Sequence, residues 1–311
     1  MRNPKDTFGY LFCIIMAFRS ILINKATKIN LDLNNMVVYY EEQKYFINLD
    51  EINLIVIEDP RCLVSLKLLT KIGTSGITLV FVDESHMPVC AMETLFNNAR
   101  SAKRYRQQIN WDINGINYLW TSIVKEKITL QKDNLIRNNK TNKINIIDEY
   151  INTIKENDIS NREGLASRTY FKELFGSEFK RFNEDMINFS LNYIYQIIRA
   201  KIAQEIVKCG YNPCLGINHK SEYNSFNLAD DFIEVYRPIV DYYTYEIIKN
   251  DNSSYLTPSL KERLINIVNE RIIYNNQKMK LHNSITLFVQ NMFNFLETGD
   301  VSKLIFPKLD K

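Results

Sequence analysis

The stretch EDMINFSLNYIYQIIRAKIAQEIVKCG, residues 184–210, sets the class of this chain. It reads as one long helix, with Gly210 just past its end, where a helix is commonly closed by a residue in the left-handed region. Downstream, YNPCLG is a loop, because Pro213 and Gly216 oppose helix. A further helix is expected to begin near Asn227, and another to run through SLKERLINIVNERIIYNNQ. Upstream, apolar spacing is helical from about SAKRYRQQ, interrupted by the polar loop NNKTNKIN at 138–145.

Before residue 84 the pattern is different. RSILINK, KINLDL, MVVYYEEQKYFINL, INLIVIEDP and ITLVFVD read as short strands, with a turn at Asn34-Asn35. VSLKLLTKI puts Val64, Leu68 and Ile72 at helical spacing, and Gly73 to Gly76 mark the return to a strand. The expected fold class is α+β, a β-rich N-terminal domain followed by an all-α domain. The expected boundaries are a β-rich domain at 16–95, a linker at 96–105 and a helical domain at 106–311.

The 311 residues are enough for two domains, and 24% charged with 45% hydrophobic residues describe an ordinary globular chain. Nine glycines and seven prolines argue against a disordered or collagen-like chain. Residues 1–100 carry ten Lys/Arg against eleven Asp/Glu, and the remainder 29 against 25, so any field that attracts anions lies in the second part. Cys13, Cys62, Cys90, Cys209 and Cys214 are an odd, scattered set without a CxxC pair, which disfavours a disulfide framework and a thiolate zinc site. A reducing cytoplasm is the expected compartment. GYLFCIIMAF is too short for a membrane span, follows Asp6 and lacks a small-residue cleavage site, so neither a membrane association nor a signal peptide is expected.

The chemistry-bearing stretch is GINHKSEYNSFNLADDFIEVYRP, residues 216–238. Asp231 and Glu234 are three apart, so a helix places both carboxylates on one face. His219 precedes Glu234 by fifteen residues, in a loop able to fold back and offer an imidazole nitrogen. Oxygen ligands with one nitrogen suit Mn²⁺ or Mg²⁺, and the imidazole favours Mn²⁺. Acids in a first helical turn also stabilise the positive end of its dipole, which by itself accounts for Asp230 and Asp231. His86 and His282 have no acidic partner at suggestive spacing and are read as structural.

A third ligand is needed, and ISNREGLASRTYFKELFG supplies Glu163. Ser160 and Glu163 have the spacing of a capping box, which is a sufficient structural reason for the glutamate. Leu165, Tyr170, Phe171 and Leu174 put this helix in the core, with Arg162 and Arg168 near its exposed side. Basic groups beside a metal-binding acid suit a phosphate-handling site, and surface ion pairs explain them equally well.

Three blocks together, NREGLASRTYF, FSLNYIYQIIRAKIAQEIVKCGYNPCLGINH and NLADDFIEVYRPIVD, resemble the CRISPR-associated endonuclease number one, the integrase of spacer acquisition. MAFRSILINKATKI, IVIEDPRCLVSLKLLTKI and ITLVFVDESHMPV resemble the N-terminal region of its shorter, type II-like members. The similarity runs from Met16 to the closing LIFPKL. Met16 is therefore expected to be the natural initiator, or residues 1–15 a disordered extension, and an intact mass of the native protein discriminates the two.

The resemblance implies a β domain that forms a homodimer and a helical catalytic domain. It implies two such dimers flanking a dimer of the small ferredoxin-like CRISPR adaptation protein, with DNA as substrate. A type II effector nuclease and an accessory acquisition factor are further implied partners. Carried over by position, Glu163, His219 and Glu234 are the metal ligands, for Mg²⁺ or Mn²⁺, and Asp231 is a supporting or alternative ligand. Arg162, Arg168, Lys220 and Arg237 are candidates for phosphate oxygens, and Tyr193, with Tyr195, for lining the site. Ser167 in place of a usual alanine and Val235 in place of a frequent proline leave these ligands unaltered. The implied reaction is transesterification, with DNA hydrolysis or a non-catalytic DNA-binding scaffold as alternatives.

Overall fold

The computed structural model describes residues 19–92, 100–251 and 253–310. The expectation for residues 1–15 and part of the expected linker at 96–105 lie outside them. The chain divides into two compact units, one of residues 1–96 with 255–269, the other of residues 97–254 with 270–311.

The first unit carries β1 (Arg19–Ile23), β2 (Lys28–Asp32), β3 (Asn35–Tyr40), β4 (Gln43–Asn48), β5 (Ile52–Ile57), β6 (Leu63–Val64), α1 (Leu66–Ser75), β7 (Thr78–Val82) and β8 (Pro88–Ala91). They form two four-stranded sheets, ordered β1-β5-β7-β8 and β4-β3-β2-β6. In the first sheet β1, β5 and β7 are parallel and β8 returns antiparallel. Ile21, Ile23, Ile55 and Leu79 from this sheet meet Ile29, Met36, Val38 and Ile47 from the other in one apolar core, closed by Leu68 and Ile72 of α1. The isoleucines and the valine among them are β-branched and fit a pleated, buried surface. The single strand expected over MVVYYEEQKYFINL is a hairpin, since Glu41 at φ 52° turns the chain between β3 and β4.

The second unit carries α2 (Ser101–Ile109), α3 (Ile113–Arg137), α4 (Ile144–Asn152), α5 (Arg162–Phe175), α6 (Met186–Lys208), α7 (Asn227–Ile233) and α8 (Arg237–Ile248). α3 packs against α4, α5 and α8, and α6 against α7 and α8. α6 confirms the reading of residues 184–210. Asp185 caps its start through the amide of Asn188, and Gly210, at φ 85°, follows its end. Thirteen of its 23 residues are buried, so it is a central helix rather than an amphipathic cover.

The expected helix through 259–277 stops early. α9 (Pro258–Asn266) gives way to a hairpin of β9 (Arg271–Tyr274) and β10 (Gln277–Lys280), with Asn275 and Asn276 both at positive φ in its turn. Two consecutive left-handed residues favour asparagine and match a two-residue hairpin loop. α10 (Leu281–Thr298) follows and packs on α6 and α3, and β11 (Lys308–Leu309) completes a three-stranded sheet. The helical half thus holds a small sheet that its sequence did not announce. The segment 255–269, assigned from the sequence to the helical domain, groups with the first unit, where Lys261 meets Glu58 at 2.8 Å with both side chains buried. No helix among the described residues is long and apolar enough to cross a membrane.

Candidate active site

The site lies within the second unit, where α3, α5, α7 and the loop between α6 and α7 meet. That loop is built around Asp231. Its carboxylate, wholly buried, accepts from the amides of Ile217 at 2.6 Å, Asn218 at 3.1 Å and His219 at 3.0 Å, and from His219 Nδ1 at 2.7 Å. Four donors on two oxygens compensate the burial of this charge. Asp231 is therefore occupied in holding the loop, and its reading as an alternative ligand gives way to a positioning role. Gly216 is required beside it, because a Cβ there would overlap the carbonyl of His219 and lie 2.7 Å from Asp231 Oδ2.

Two further residues clamp the loop. Asn227, the first residue of α7, donates to the carbonyls of Cys214 and Ser221 at 3.0 and 2.9 Å. Gln108 on α2 donates to the carbonyls of Asn212 and Leu215 and accepts from the amide of Asn212. Sequence reasoning passed over both. Gln108 stands 104 residues from Asn212 in sequence, and a lone asparagine at the start of α7 carries no pattern of its own.

His219 stands half-buried with its ring edge-on to Trp120, centroids 6.0 Å apart. The hydrogen bond that His219 donates to Asp231 raises its pKa against the opposing effect of burial, and the charge of Glu234 acts in the same direction as Asp231. With Nδ1 bound to Asp231, Nε2 is the nitrogen left to face a ligand. A cleft of about 570 Å³ opens at this ring, lined by Trp111, Leu215, Lys220, Glu222 and Asn224.

Glu163 and Glu234 approach from different helices and share one cation. The ammonium of Lys127, on α3, bonds Glu163 Oε1 and Glu234 Oε2, and its side chain is only 6% exposed. Burial disfavours that charge, but Glu234 and Glu163 outweigh burial and raise the lysine pKa. Glu234 also accepts from Arg237 Nε at 3.0 Å. Burial would push the Glu234 carboxyl up, yet Arg237 and Lys127 together bring it down to about 2. Glu163 accepts in addition from Ser167 Oγ at 3.1 Å, and Gln131 donates to that hydroxyl at 3.2 Å. The departure at Ser167 thus touches a candidate ligand after all. Lys127 was missed because a single lysine in a helix carries no local pattern; only α5 and α7 together give it partners.

As the side chains stand, no three His, Cys, Asp or Glu among the described residues are gathered closely enough to hold an ion. The chemistry nonetheless suits one. Two carboxylates already converge on a buried positive charge, and the imidazole of His219 is close enough to Glu234 for their charges to interact.

The remaining expected residues divide. The capping box does not form, because Asp158 takes the amides of Arg162 and Glu163 at 2.8 and 2.9 Å and leaves Ser160 Oγ without a partner. Arg162 lies over the ring of Tyr150 and Arg168 is exposed. Leu165, expected in the core, is exposed, while Tyr170 and Leu174 are buried. Lys220 is exposed on the cleft. Arg237 is held by Glu234 and the face of Tyr195, 4.7 Å away. Tyr193 is fully buried, and Tyr195 is buried with its hydroxyl bonded to Asp241, so neither lines an open surface.

Comparison with known proteins bears on the family and the fold. The chain is 29% identical over 289 residues to the CRISPR-associated endonuclease Cas1 of Neisseria meningitidis serogroup C (strain 8013), covering 93% of this chain and 94% of the relative. A casposase bound to its integration product superposes with a TM-score of 0.73 at 18% identity, covering 90% of this chain and 91% of the other. A Cas6-RT-Cas1–Cas2 complex gives 0.70 at 17% identity, covering 94% of this chain and 36% of the other. At such identities the structural likeness speaks for the fold. The sequence profile of the CRISPR associated protein Cas1 family matches residues 21–259, and the chain belongs to that family.

Proposed function

We propose that this Cas1-family chain is a divalent-metal-dependent DNA endonuclease and integrase of CRISPR adaptation, joining 3′-hydroxyl ends of foreign DNA fragments to the CRISPR repeat. The observation that carries the reading is the convergence of Glu163 and Glu234 on one buried cation. Asp231 fixes the ring of His219, whose charge interacts with that of Glu234.

Glu163, Glu234 and His219 Nε2 would hold Mg²⁺ or Mn²⁺, which would supply Lewis-acid activation of a phosphodiester. Asp231 fixes the imidazole orientation and leaves Nε2 free of the proton held toward the carboxylate. Arg237 keeps the Glu234 carboxylate ionised and aimed. Lys220 on the cleft and Arg168 on the surface are assigned to phosphate oxygens, a role for point charges that need not read sequence, and their exposure supports the assignment. In the strand-transfer step the 3′-oxygen forms a bond to phosphorus as the repeat's own 3′-oxygen leaves. One phosphodiester replaces another, and the attacking hydroxyl's proton ends on the departing oxygen.

The β-rich first unit is assigned to homodimerisation. The small ferredoxin-like CRISPR adaptation protein is assigned as the bridging partner, in keeping with the Cas1–Cas2 complex of similar fold. The type II-like assignment, with an effector nuclease and accessory factor as partners, rests on the wording of the N-terminal blocks.

The test is a branched DNA that mimics a half-integrated fragment, incubated with the protein and Mn²⁺, with His219→Ala as control. A resealed duplex plus a released strand, absent in the variant, is the expected result. Cut ends without resealing would favour hydrolysis, and DNA binding without product would favour a scaffold.

A further inference from the structure

We propose that Lys127 is a built-in counter-cation that closes the site when no divalent ion is bound and competes with that ion for Glu163 and Glu234. The inference rests on the metal reading above and goes beyond it, since it assigns a role to a residue outside the ligand set.

An ammonium is costly to bury, and it is retained in an interior only when paired and hydrogen-bonded. Lys127 meets that condition through two carboxylates from separate helices, and its side chain is 6% exposed. Without it, Glu163 and Glu234 would face each other as like charges in a poorly solvated place, where their repulsion is strong. Lys127 therefore has a structural task in the ion-free protein: it keeps α5 and the end of α7 drawn together.

The same geometry sets up competition. Glu163 Oε1 and Glu234 Oε2 are the oxygens that Nζ bonds, while Glu234 Oε1 is taken by Arg237. Mg²⁺ requires oxygen ligands at roughly 2.0–2.1 Å. The gap between two oxygens that one nitrogen already bridges does not admit both cations, and two positive charges there would repel. Binding an ion thus requires Nζ to withdraw. Lysine suits this exchange better than arginine, because a compact charge on a flexible four-carbon stem can leave without breaking a planar, two-pronged contact. Arg237 keeps its contact with Glu234 Oε1 throughout, so one ligand stays aimed while the other cation departs.

Calorimetric titration of the full chain with Mn²⁺ alone tests the proposal, comparing wild type with Lys127→Met and Lys127→Arg. Lys127→Met is expected to bind Mn²⁺ at least about tenfold more tightly, to melt at lower temperature in EDTA and to regain more stability on adding Mn²⁺. Lys127→Arg, which keeps the charge, is expected to bind no more tightly than wild type. Binding by Lys127→Met that equals or falls below a measurable wild-type affinity overturns the role of Lys127 and leaves the metal site standing. A folded wild type and a folded Lys127→Met that both bind no Mn²⁺ overturn the metal site and the role of Lys127 together. A second measurement needs no variant: a crystal structure of the wild type soaked in Mn²⁺ is expected to show Nζ withdrawn from at least one carboxylate, and an ion present with Nζ still bonded to both overturns the proposal.

Discussion

Asp231 grips His219 twice, at its backbone amide and at its ring Nδ1, 3.0 and 2.7 Å away. One buried carboxylate therefore sets both the path of the loop and the orientation of the imidazole. Asp231→Asn would turn an amide NH₂ toward backbone donors that need an acceptor. It is expected to cost about 1–3 kcal/mol of stability and to lower strand-transfer activity, whereas His219→Gln is expected to lower activity with a smaller loss of stability. Chemical denaturation and the branched-DNA assay on the two variants check this.

Gly216 admits no side chain in its present position, with the His219 carbonyl and Asp231 Oδ2 both in the way of a Cβ. Gly216→Ala is expected to displace the loop and reduce activity at least about tenfold, while the far side of the unit remains folded. Amide NMR would then show changes concentrated at residues 214–221 and 227–231. Wild-type activity in Gly216→Ala would sink the argument.

Arg237 and Lys127 hold the Glu234 carboxyl down at about 2, against an ordinary 4.5. A depressed folded-state pKa means that its contribution is complete above 4.5 and is lost as the pH falls toward 2. Its size is about 3 kcal/mol at neutral pH. In EDTA, the stability gap between wild type and Glu234→Gln is expected to be widest at pH 7 and to shrink through that window. A gap independent of pH would mean that packing, not charge, is what glutamine disturbs.

Tyr193 was a candidate for the site surface, and burial assigns it to the core. Tyr193→Ala is expected to destabilise by about 3–5 kcal/mol, as other large aromatic truncations do. Tyr193→Phe is expected to leave DNA affinity unchanged; a marked loss of affinity in a stable Tyr193→Phe protein would return the residue to the interface.

Arg168 is exposed, with its neighbour Glu163 engaged by Lys127 and Ser167. Arg168→Ala is expected to keep stability within about 0.5 kcal/mol, to weaken DNA binding across sequences and to lower the salt dependence by about one counterion. Affinity measured at several salt concentrations decides it.

What the sequence determined by itself was whatever depends on neighbours along the chain. Alternation in residues 19–82 and the spacing of 184–210 report on strand and helix, because the side chains that share a face recur at fixed intervals. The three blocks around Glu163, His219 and Glu234 carried the family resemblance in the same local way. Local reading failed where nearby residues competed for one role, and again where a distant group supplied the partner. Asp158 displaced Ser160 as the cap of α5, and the hairpin at Asn275-Asn276 replaced a helix that its apolar spacing allowed. Gln108 and Lys127 had no signature at all, since each acts on groups far from it in sequence, and Asn227 is a lone asparagine whose partners, Cys214 and Ser221, only the folded loop brings to it. Only the tertiary structure could reveal that Lys127 stands between the two carboxylates, because a buried charge is defined by what surrounds it, and its surroundings come from α3, α5 and α7 together.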